Sequence, residues 1–569
     1  MAARALPLTN KALVLTGMIF AVAMTFIDQT IVSVAAPRIQ SELGLSDTGV
    51  QWAINAYLLA LAALFAFGGR LADTVGHRRM VTMGVLIFAG ASVLCGLTPA
   101  NGLAESWLIA FRAVQGAGGA LMYPAALAIV VDTFPVGARG RALAMFFGLA
   151  GGLTAVGPTF GGYLVQWTWR AIFWVNVPIA IIALLLIRLS RPSNVRRPVR
   201  MDYRGLALIA LGVGLSVFGF QESAQLGWTD PVTGLSIVVG AALLVVFVRV
   251  ELRTEQPLMD VRIFRDRTFL AENVVLLVAM MAFVPVFFFA SEYAQISLAE
   301  PASKASVTLL YFFIGFVIAA QMGGRVLDRR GAKRPVVVGS AIAAVAFGLW
   351  AQRVPDLSLG RQVWCIVLAG SGMGLMLGQA NTDALNRAPS TAYGEATGIT
   401  QTVRNYGASL GLAILGTVLI STFRSQVATS LVARGVPSGQ AHRTAASLLS
   451  HGRGGTSTIP QFIRVDFAQA THLVLWGMAA AMALAGAVAL FGLRWGVPER
   501  VAEPSASPQP AHRPSRAFEL STGTAEMLSE TPLTVTLKNL GVQRCGSGSR
   551  KSGRSRLPRC RRIRMAASG

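Results

Sequence analysis

Two stretches of the chain are near copies of each other: GGRLADTVGHRR (68–79) and GGRVLDRRGAKR (323–334). Half of the aligned positions are identical. The shared pairs are Gly68 with Gly323, Gly69 with Gly324, Arg70 with Arg325, Asp73 with Asp328, Gly76 with Gly331 and Arg79 with Arg334. Each copy lies between two long apolar runs, and its glycines permit a tight turn. The repeat therefore predicts a chain built from two related halves.

The composition predicts that most of the chain lies in lipid. Of its 569 residues, 53% are hydrophobic and only 13% are charged, whereas a soluble domain carries about 25% charged residues. The net charge of +24 does not indicate nucleic-acid binding, because the basic residues occur in short clusters between apolar runs and in the last segment of the chain. We expect no nucleic-acid partner.

Fourteen apolar runs are long enough to span a membrane, which takes about 20 residues as a helix. Backbone polar groups in hydrocarbon must be satisfied within each span, so every span is predicted to be a helix. The predicted spans are 12–34, 51–72, 79–98, 105–131, 140–164, 170–190, 204–222, 233–251, 268–291, 305–327, 335–352, 363–385, 396–422 and 469–494.

The basic residues of the short loops predict the orientation. With the N-terminus inside, the inner loops carry most of the arginines, as in the cluster from Arg325 to Arg334. The short outer loops carry only Arg38, Arg170, Lys304, Arg353 and Arg361. This asymmetry is what the positive-inside rule expects. It predicts an even number of spans, cytoplasmic termini and a multi-pass membrane protein, which we expect in the bacterial cell membrane.

The repeat and the spans together predict the domain organisation. The expected segments are a cytoplasmic N-terminus (1–11), an N-terminal six-helix half (12–190), an inserted helix pair (204–251), a C-terminal six-helix half (268–494) with an extracellular loop (424–468), and a disordered basic cytoplasmic tail (500–569). Matched segments in two halves are typical of transporters, whose substrate site lies between the halves.

Four motifs resemble those of one family. The duplicated loop looks like the signature loop of the major facilitator superfamily, and fourteen spans resemble its QacA/EmrB-type drug:proton antiporter branch. FIDQTIVSVAAPRIQ (26–40), RAVQGAGGALMYP (112–124) and GLTAVGPTFGGYL (152–164) resemble the first-, fourth- and fifth-span motifs of that branch. The resemblance covers residues 12–495 and implies an all-α fold of two six-helix halves plus two inserted helices.

The resemblance also implies roles for individual residues. The conformational loops are carried by Gly69, Arg70, Asp73, Gly76, Arg78 and Arg79 in the first copy, and by Gly324, Arg325, Asp328 and Gly331 in the second. The antiporter motif is carried by Gly152, Gly157, Pro158, Gly161 and Gly162. A functional monomer is expected.

Asp28 and Arg112 are the strongest candidates for coupling to protons. Each lies well inside an apolar run, where a charged side chain costs about 2.5–3.5 kcal/mol even on insertion scales. Asp28 is a natural proton site, and arginine keeps its charge, so it must meet an acid, carbonyls or water. A structural packing aspartate and a structural ion pair remain the alternatives. In the C-terminal half, Gln379, Asn381, Asp383 and Arg404 are candidates for the cavity.

These observations predict a proton-coupled antiporter that exports small hydrophobic or cationic drugs or metabolites. Its partners would be protons, a small-molecule substrate and membrane lipids. Neither a phosphate-binding Gly-Lys-Ser/Thr loop nor a metal motif occurs in the sequence, so we expect no cofactor, no metal and no enzymatic activity. The alternatives are a dedicated exporter of one native metabolite or self-made antibiotic, and a membrane sensor that binds without transport.

Overall fold

The structure is a computed structural model that describes residues 8–192, 194, 196, 201–387, 393–450 and 459–496. Within these ranges the chain is helical and contains no strand. The helices are α1 (Leu8–Leu43), α2 (Asp47–Val75), α3 (His77–Gly96), α4 (Ala104–Thr133), α5 (Val136–Trp167), α6 (Ala171–Trp174), α7 (Asn176–Ser190), α8 (Tyr203–Leu226), α9 (Pro231–Glu251), α10 (Arg267–Ile296), α11 (Ala302–Arg330), α12 (Lys333–Arg353), α13 (Leu359–Arg387), α14 (Tyr393–Val432), α15 (Ser438–Ser450) and α16 (Gln461–Gly492). Two short 3₁₀ helices occupy Val261–Arg265 and Val354–Asp356.

The helices coincide with the predicted spans. Among the described residues, thirteen helices are long and apolar enough to cross a membrane. They cover every predicted span except the fifth, which lies in the 32-residue helix α5. The sixth span is formed by α6 and α7 in succession. The all-α prediction is confirmed, and thirteen of the fourteen predicted spans correspond to helices that can cross a membrane.

The two copies of the repeated loop end their preceding helices in the same way. Gly76 follows α2 with φ of 107°, and Gly331 follows α11 with φ of 78°. Both conformations favour glycine, because a Cβ atom would clash with the backbone there. The N–H of each glycine donates to a carbonyl of the last helical turn, at Ala72 (2.8 Å) and Leu327 (2.9 Å) respectively.

The helix packing repeats between the two halves. In the first half α2 and α3 pack on α4, and α1 packs on α5; in the second half α11 and α12 pack on α13, and α10 packs on α14. The halves meet where α2 contacts α14, α5 contacts α11 and α1 contacts α10. The 18-residue apolar windows of α1 and α10 are each 83% buried, so these two helices line the centre of the molecule.

The inserted pair lies beside the interface between the halves. Helix α8 packs on α9 and contacts both α2 and α14. The apolar window of α9 is only 17% buried, and its exposed side chains include Leu235, Val238 and Val245. Such an apolar outer surface suits contact with lipid.

The predicted extracellular loop (424–468) is largely helical where the structure describes it. Helix α14 continues to Val432, α15 follows, and α16 begins at Gln461. The span prediction stopped α14 too early because polar residues begin near Ser421, whereas the first residues that disfavour a helix are Gly435 and Pro437. Residues 1–7 of the predicted N-terminal segment, residues 451–458 of the loop and the whole predicted tail (500–569) lie outside the described residues.

Candidate functional site

Asp28 and Arg112 form a buried ion pair between α1 and α4. Arg112 Nη1 lies 2.5 Å from Asp28 Oδ2, and the two residues are 0% and 1% exposed. Two charges out of water are tolerated only when they are paired and their remaining donors and acceptors are satisfied. The structure thus brings together the two residues that the sequence singled out.

A small polar network completes this pair. Arg112 Nε donates to the carbonyl of Ala53 (2.9 Å), and Nη1 also donates to Gln115 Oε1 (2.6 Å). Gln115 Nε2 donates in turn to Asp28 Oδ1 (2.9 Å) and to Ser92 Oγ (2.6 Å). Both carboxylate oxygens of Asp28 are therefore occupied. Gln115 was not predicted as a site residue, although it lies one helical turn after Arg112 and hence on the same face of α4.

The glycines of α4 explain why the network is so compact. A Cβ atom at Gly118 would lie 2.6 Å from the backbone nitrogen of Phe88 on α3. At Gly116 a Cβ atom would collide with the carbonyl of Tyr57 on α2. Because neither position carries a side chain, α2 and α3 approach α4 closely and bring the Ala53 carbonyl to Arg112.

Tyr57 connects the ion pair to the first helix. The Cζ atom of Arg112 lies 4.4 Å from the centroid of the Tyr57 ring, a cation–π geometry. The Tyr57 hydroxyl donates to the carbonyl of Thr25 (3.1 Å). Thr25 lies on the part of α1 that also lines a central pocket, so one aromatic side chain joins the buried charges to that pocket.

The central pocket lies between the two halves. Its walls come from α1, α2 and α4 on one side and from α10 and α14 on the other. The lining residues are Thr25, Phe26, Gln29, Leu61, Phe65, Tyr123, Met280, Gln401, Arg404 and Asn405. Of the four C-terminal candidates for the cavity, Arg404 is in this wall.

The other three C-terminal candidates lie elsewhere. Gln379 is buried and donates to the carbonyl of Ala320 (3.0 Å) on α11, and Asn381 is half-buried on α13. Asp383 pairs with Arg387 (2.9 Å), which also lies 3.5 Å from the fully buried Glu272. None of the three belongs to the lining of the central pocket. Glu272 was missed, although it lies inside the predicted span 268–291.

The glycines of the predicted antiporter motif form a contact surface on α5. A Cβ atom at Gly161 would lie 2.5 Å from Ile31 on α1, and one at Gly162 would lie 2.6 Å from Ser306 Oγ on α11. Gly157 faces Thr30 on α1 equally closely. Pro158 lies inside the same helix, while the surroundings of Gly152 lie outside the described residues. Helix α5 therefore contacts both halves through small residues.

The two copies of the signature loop have different surroundings. In the first copy Arg70 donates to the carbonyl of Pro257 (2.7 Å) and lies 3.5 Å from Glu395 on α14. Asp73 pairs with His77 (3.0 Å). In the second copy Arg325 and Asp328 are exposed, and neither forms an ion pair within the described ranges. Only the first copy connects the two halves in this way.

The remaining loop residues have no comparable contacts. A Cβ atom at Gly69 would meet only Pro124, at 3.7 Å, and one at Gly324 would meet nothing within 4 Å. Arg78 is half-buried and Arg79 is exposed. Within the described part of the chain no group of three His, Cys, Asp or Glu side chains is arranged to hold a metal ion.

Comparison with known proteins identifies the family. The family model described as Major Facilitator Superfamily matches residues 18–412. The chain belongs to the major facilitator superfamily. It is therefore a multi-pass membrane transporter of small molecules and not an enzyme.

Relatives within the major facilitator superfamily span most of the chain. The tetracenomycin C resistance and export protein of Streptomyces glaucescens is 32% identical over 496 residues, which cover 85% of this chain and 90% of that protein. The puromycin resistance protein pur8 of Streptomyces alboniger is 34% identical over 402 residues, covering 69% and 79% respectively. Among solved structures, an inward-facing, unoccupied bacterial homolog of the human lysosomal transporter Spinster matches with a TM-score of 0.59 at 16% identity. This match covers 85% of this chain and 97% of that one and supports the fold.

Proposed function

We propose that this protein is a proton-coupled antiporter that exports small hydrophobic drugs or metabolites across the bacterial cell membrane, with both termini cytoplasmic and the monomer as the working unit. The observation that carries the proposal is the Asp28–Arg112 pair, since it places a titratable carboxylate in a dry interior, bound to a cation that cannot itself lose a proton. The relatives support export, because one of them is named as an export protein and both are named as antibiotic resistance proteins.

Proton binding at Asp28 would change the charge of the whole network. A proton on Oδ2 neutralises the carboxylate and removes the counter-charge of Arg112. The guanidinium then keeps neutral partners, among them Gln115, the Ala53 carbonyl and the Tyr57 ring. An unpaired buried charge is unfavourable, so Arg112 has reason to move when Asp28 is protonated.

The Tyr57–Thr25 hydrogen bond offers a route from this charge change to the substrate. Movement of Arg112 alters the contact with the Tyr57 ring, and the Tyr57 hydroxyl is bonded to the helix that lines the central pocket. Protons and substrate are exchanged if the central pocket binds substrate well only when Asp28 is ionised. Proton entry would then favour substrate release, and proton loss would restore the binding state.

A dedicated exporter of a single compound is the second candidate. It is favoured by the two relatives, each of which is named for one antibiotic. The two candidates share the proton site and differ only in the range of substrates. A sensor that binds ligand without moving it is a third possibility, and it predicts binding without flux.

The test is efflux of a panel of fluorescent dyes and antibiotics from a bacterium that lacks its own pumps. Wild type is compared with Asp28→Asn and Arg112→Gln, each at matched expression and with or without a protonophore. Glu300→Gln, which alters an exposed carboxylate paired with Lys304, is the control. We expect wild type and the control to export in a protonophore-sensitive manner and both pair variants to fail.

Each other outcome decides against part of the proposal. Efflux that persists with the protonophore contradicts proton coupling, and full activity of Asp28→Asn contradicts the assigned proton site. Export of one compound alone favours the dedicated exporter. In proteoliposomes, substrate binding without any flux favours the sensor.

A further inference from the structure

The central pocket carries an unbalanced positive charge. Arg404 is the single ionisable side chain among its lining residues apart from the Tyr123 phenol. Within the described residues no carboxylate lies at ion-pair distance from its guanidinium. Since arginine does not lose its charge, the pocket is cationic.

The guanidinium of Arg404 is also incompletely hydrogen-bonded. Its Nη1 donates to Gln401 Oε1 (2.7 Å), whereas its Nε is buried and has no hydrogen-bond partner among the described residues. Buried polar groups are nearly always paired. Arg404 therefore holds a charged donor without an acceptor, which a ligand that enters between the halves would supply.

One wall of the pocket is aromatic. The Tyr123 ring lies 5.8 Å from that of Phe26 and 5.2 Å from that of Phe65, measured between centroids. Leu61 and Met280 extend this apolar wall. Aromatic surface with one directed polar group is the usual design of a small-molecule site.

We propose that the central pocket selects small aromatic anions: compounds with a flat apolar ring system and one ionised oxygen, a carboxylate or phenolate, which accepts from Arg404 Nε. The rings rest against Phe26, Phe65 and Tyr123, and the anionic oxygen replaces the missing counter-charge. A positively charged compound would meet Arg404 without compensation. The pocket thus argues against the cationic substrates that the sequence had suggested.

This inference rests on the proposed function in one respect, because it takes the central pocket as the substrate site. It does not depend on proton coupling. Equilibrium binding in the absence of any gradient therefore tests it separately from the efflux experiment.

The experiment measures binding of three matched probes to the full-length protein in detergent: 9-anthracenecarboxylate, 9-anthracenemethanol and 9-(aminomethyl)anthracene. These probes share one ring system and carry a negative, neutral or positive group. Wild type, Arg404→Gln and Arg404→Lys are compared by fluorescence anisotropy. Arg361→Gln removes the same charge from a side chain that is 67% exposed and is the control.

We expect wild type and the control to bind the carboxylate most tightly and the ammonium most weakly. Arg404→Gln should weaken carboxylate binding about tenfold or more, the effect of losing one charge-assisted hydrogen bond. It should change alcohol binding little, which distinguishes loss of a contact from loss of the fold. Arg404→Lys should retain part of the preference, since it keeps the charge but not the guanidinium donors.

Three results would overturn the proposal. The first is equal binding of the three probes by wild type, or a preference for the ammonium. The second is an equal loss of the alcohol and the carboxylate in Arg404→Gln, which would indicate a structural role. The third is a loss of the preference for the carboxylate probe when chloride is added but not when gluconate is added at the same concentration. This result would assign the Arg404 site to an inorganic counter-ion.

Discussion

Replacing Asp28 by asparagine should destabilise the protein by about 3 kcal/mol. The change keeps the size of the side chain but removes the counter-charge of Arg112. Breaking a buried ion pair from one side costs about 3–5 kcal/mol, because the remaining charge stays buried. We expect the lower end of that range, since the Ala53 carbonyl and Gln115 still accept from Arg112.

The assay is unfolding of the purified protein in mixed detergent micelles, followed by tryptophan fluorescence, with a double-mutant cycle. Arg112→Gln alone should lower the free energy of unfolding by a similar amount. The double variant Asp28→Asn/Arg112→Gln removes both charges and should lose clearly less than the two single losses combined. Glu300→Gln is the control. It breaks the pair between Glu300 and Lys304, in which the carboxylate is 35% exposed, and exposed pairs contribute about 0–1 kcal/mol to stability.

Two results would refute this reasoning. If Asp28→Asn lowers the free energy of unfolding by no more than Glu300→Gln does, the Asp28–Arg112 pair is not held in a dry interior. If the losses from the two single variants simply add in the double variant, the two side chains do not interact as the 2.5 Å contact requires.

Three further predictions concern packing, the signature loop and the C-terminal carboxylates. Gly118→Ala should lower thermal stability because its Cβ would meet the α3 backbone, whereas Gly90→Ala, where nothing lies within 4 Å, should be neutral or stabilising by about 0.5–1 kcal/mol. A melting temperature that Gly118→Ala leaves unchanged, or that Gly90→Ala lowers as much as Gly118→Ala does, would contradict the packing described. Arg70→Ala should reduce efflux more than Arg325→Ala at equal expression, because within the described residues Arg70, unlike Arg325, lies at ion-pair distance from a carboxylate of the other half, that of Glu395; equal losses would show that this contact has no special weight. Arg387→Gln should destabilise the protein by about 3–5 kcal/mol, because it leaves the buried carboxylates of Glu272 and Asp383 without their cation. An unchanged unfolding midpoint would contradict this prediction.

The sequence predicted the buried charges better than it predicted their surroundings. Asp28 and Arg112 stood out because a charge inside an apolar run needs a partner. The same rule, applied to span 268–291, would have found Glu272. By contrast, Gln115 and Tyr57 are ordinary residues in apolar helices, and their roles follow only from the close approach of α2 and α4.

Helix ends and pocket walls were harder to predict than spans. Arg404 was predicted only as one of four candidates for the cavity; α14 begins at Tyr393, so Arg404 lies three turns inside the helix. The repeated loop predicted equal roles for Arg70 and Arg325, which the structure places in different surroundings. A repeat fixes the local turn, but the contacts depend on which helix of the other half lies nearby.

The position of α8 has a consequence for how the halves can move. At one buried point, Ser409 of α14 donates to Asn55 Oδ1 on α2 (3.0 Å), and the Asn55 side chain also contacts Gln221 of α8. Lipid cannot replace hydrogen bonds that are broken at such a point. A small rotation centred there would preserve both polar contacts while displacing the distant helix ends the most. Rotation of one half against the other would therefore cost least about this junction of α2, α8 and α14, where the inserted pair contributes one of the three helices.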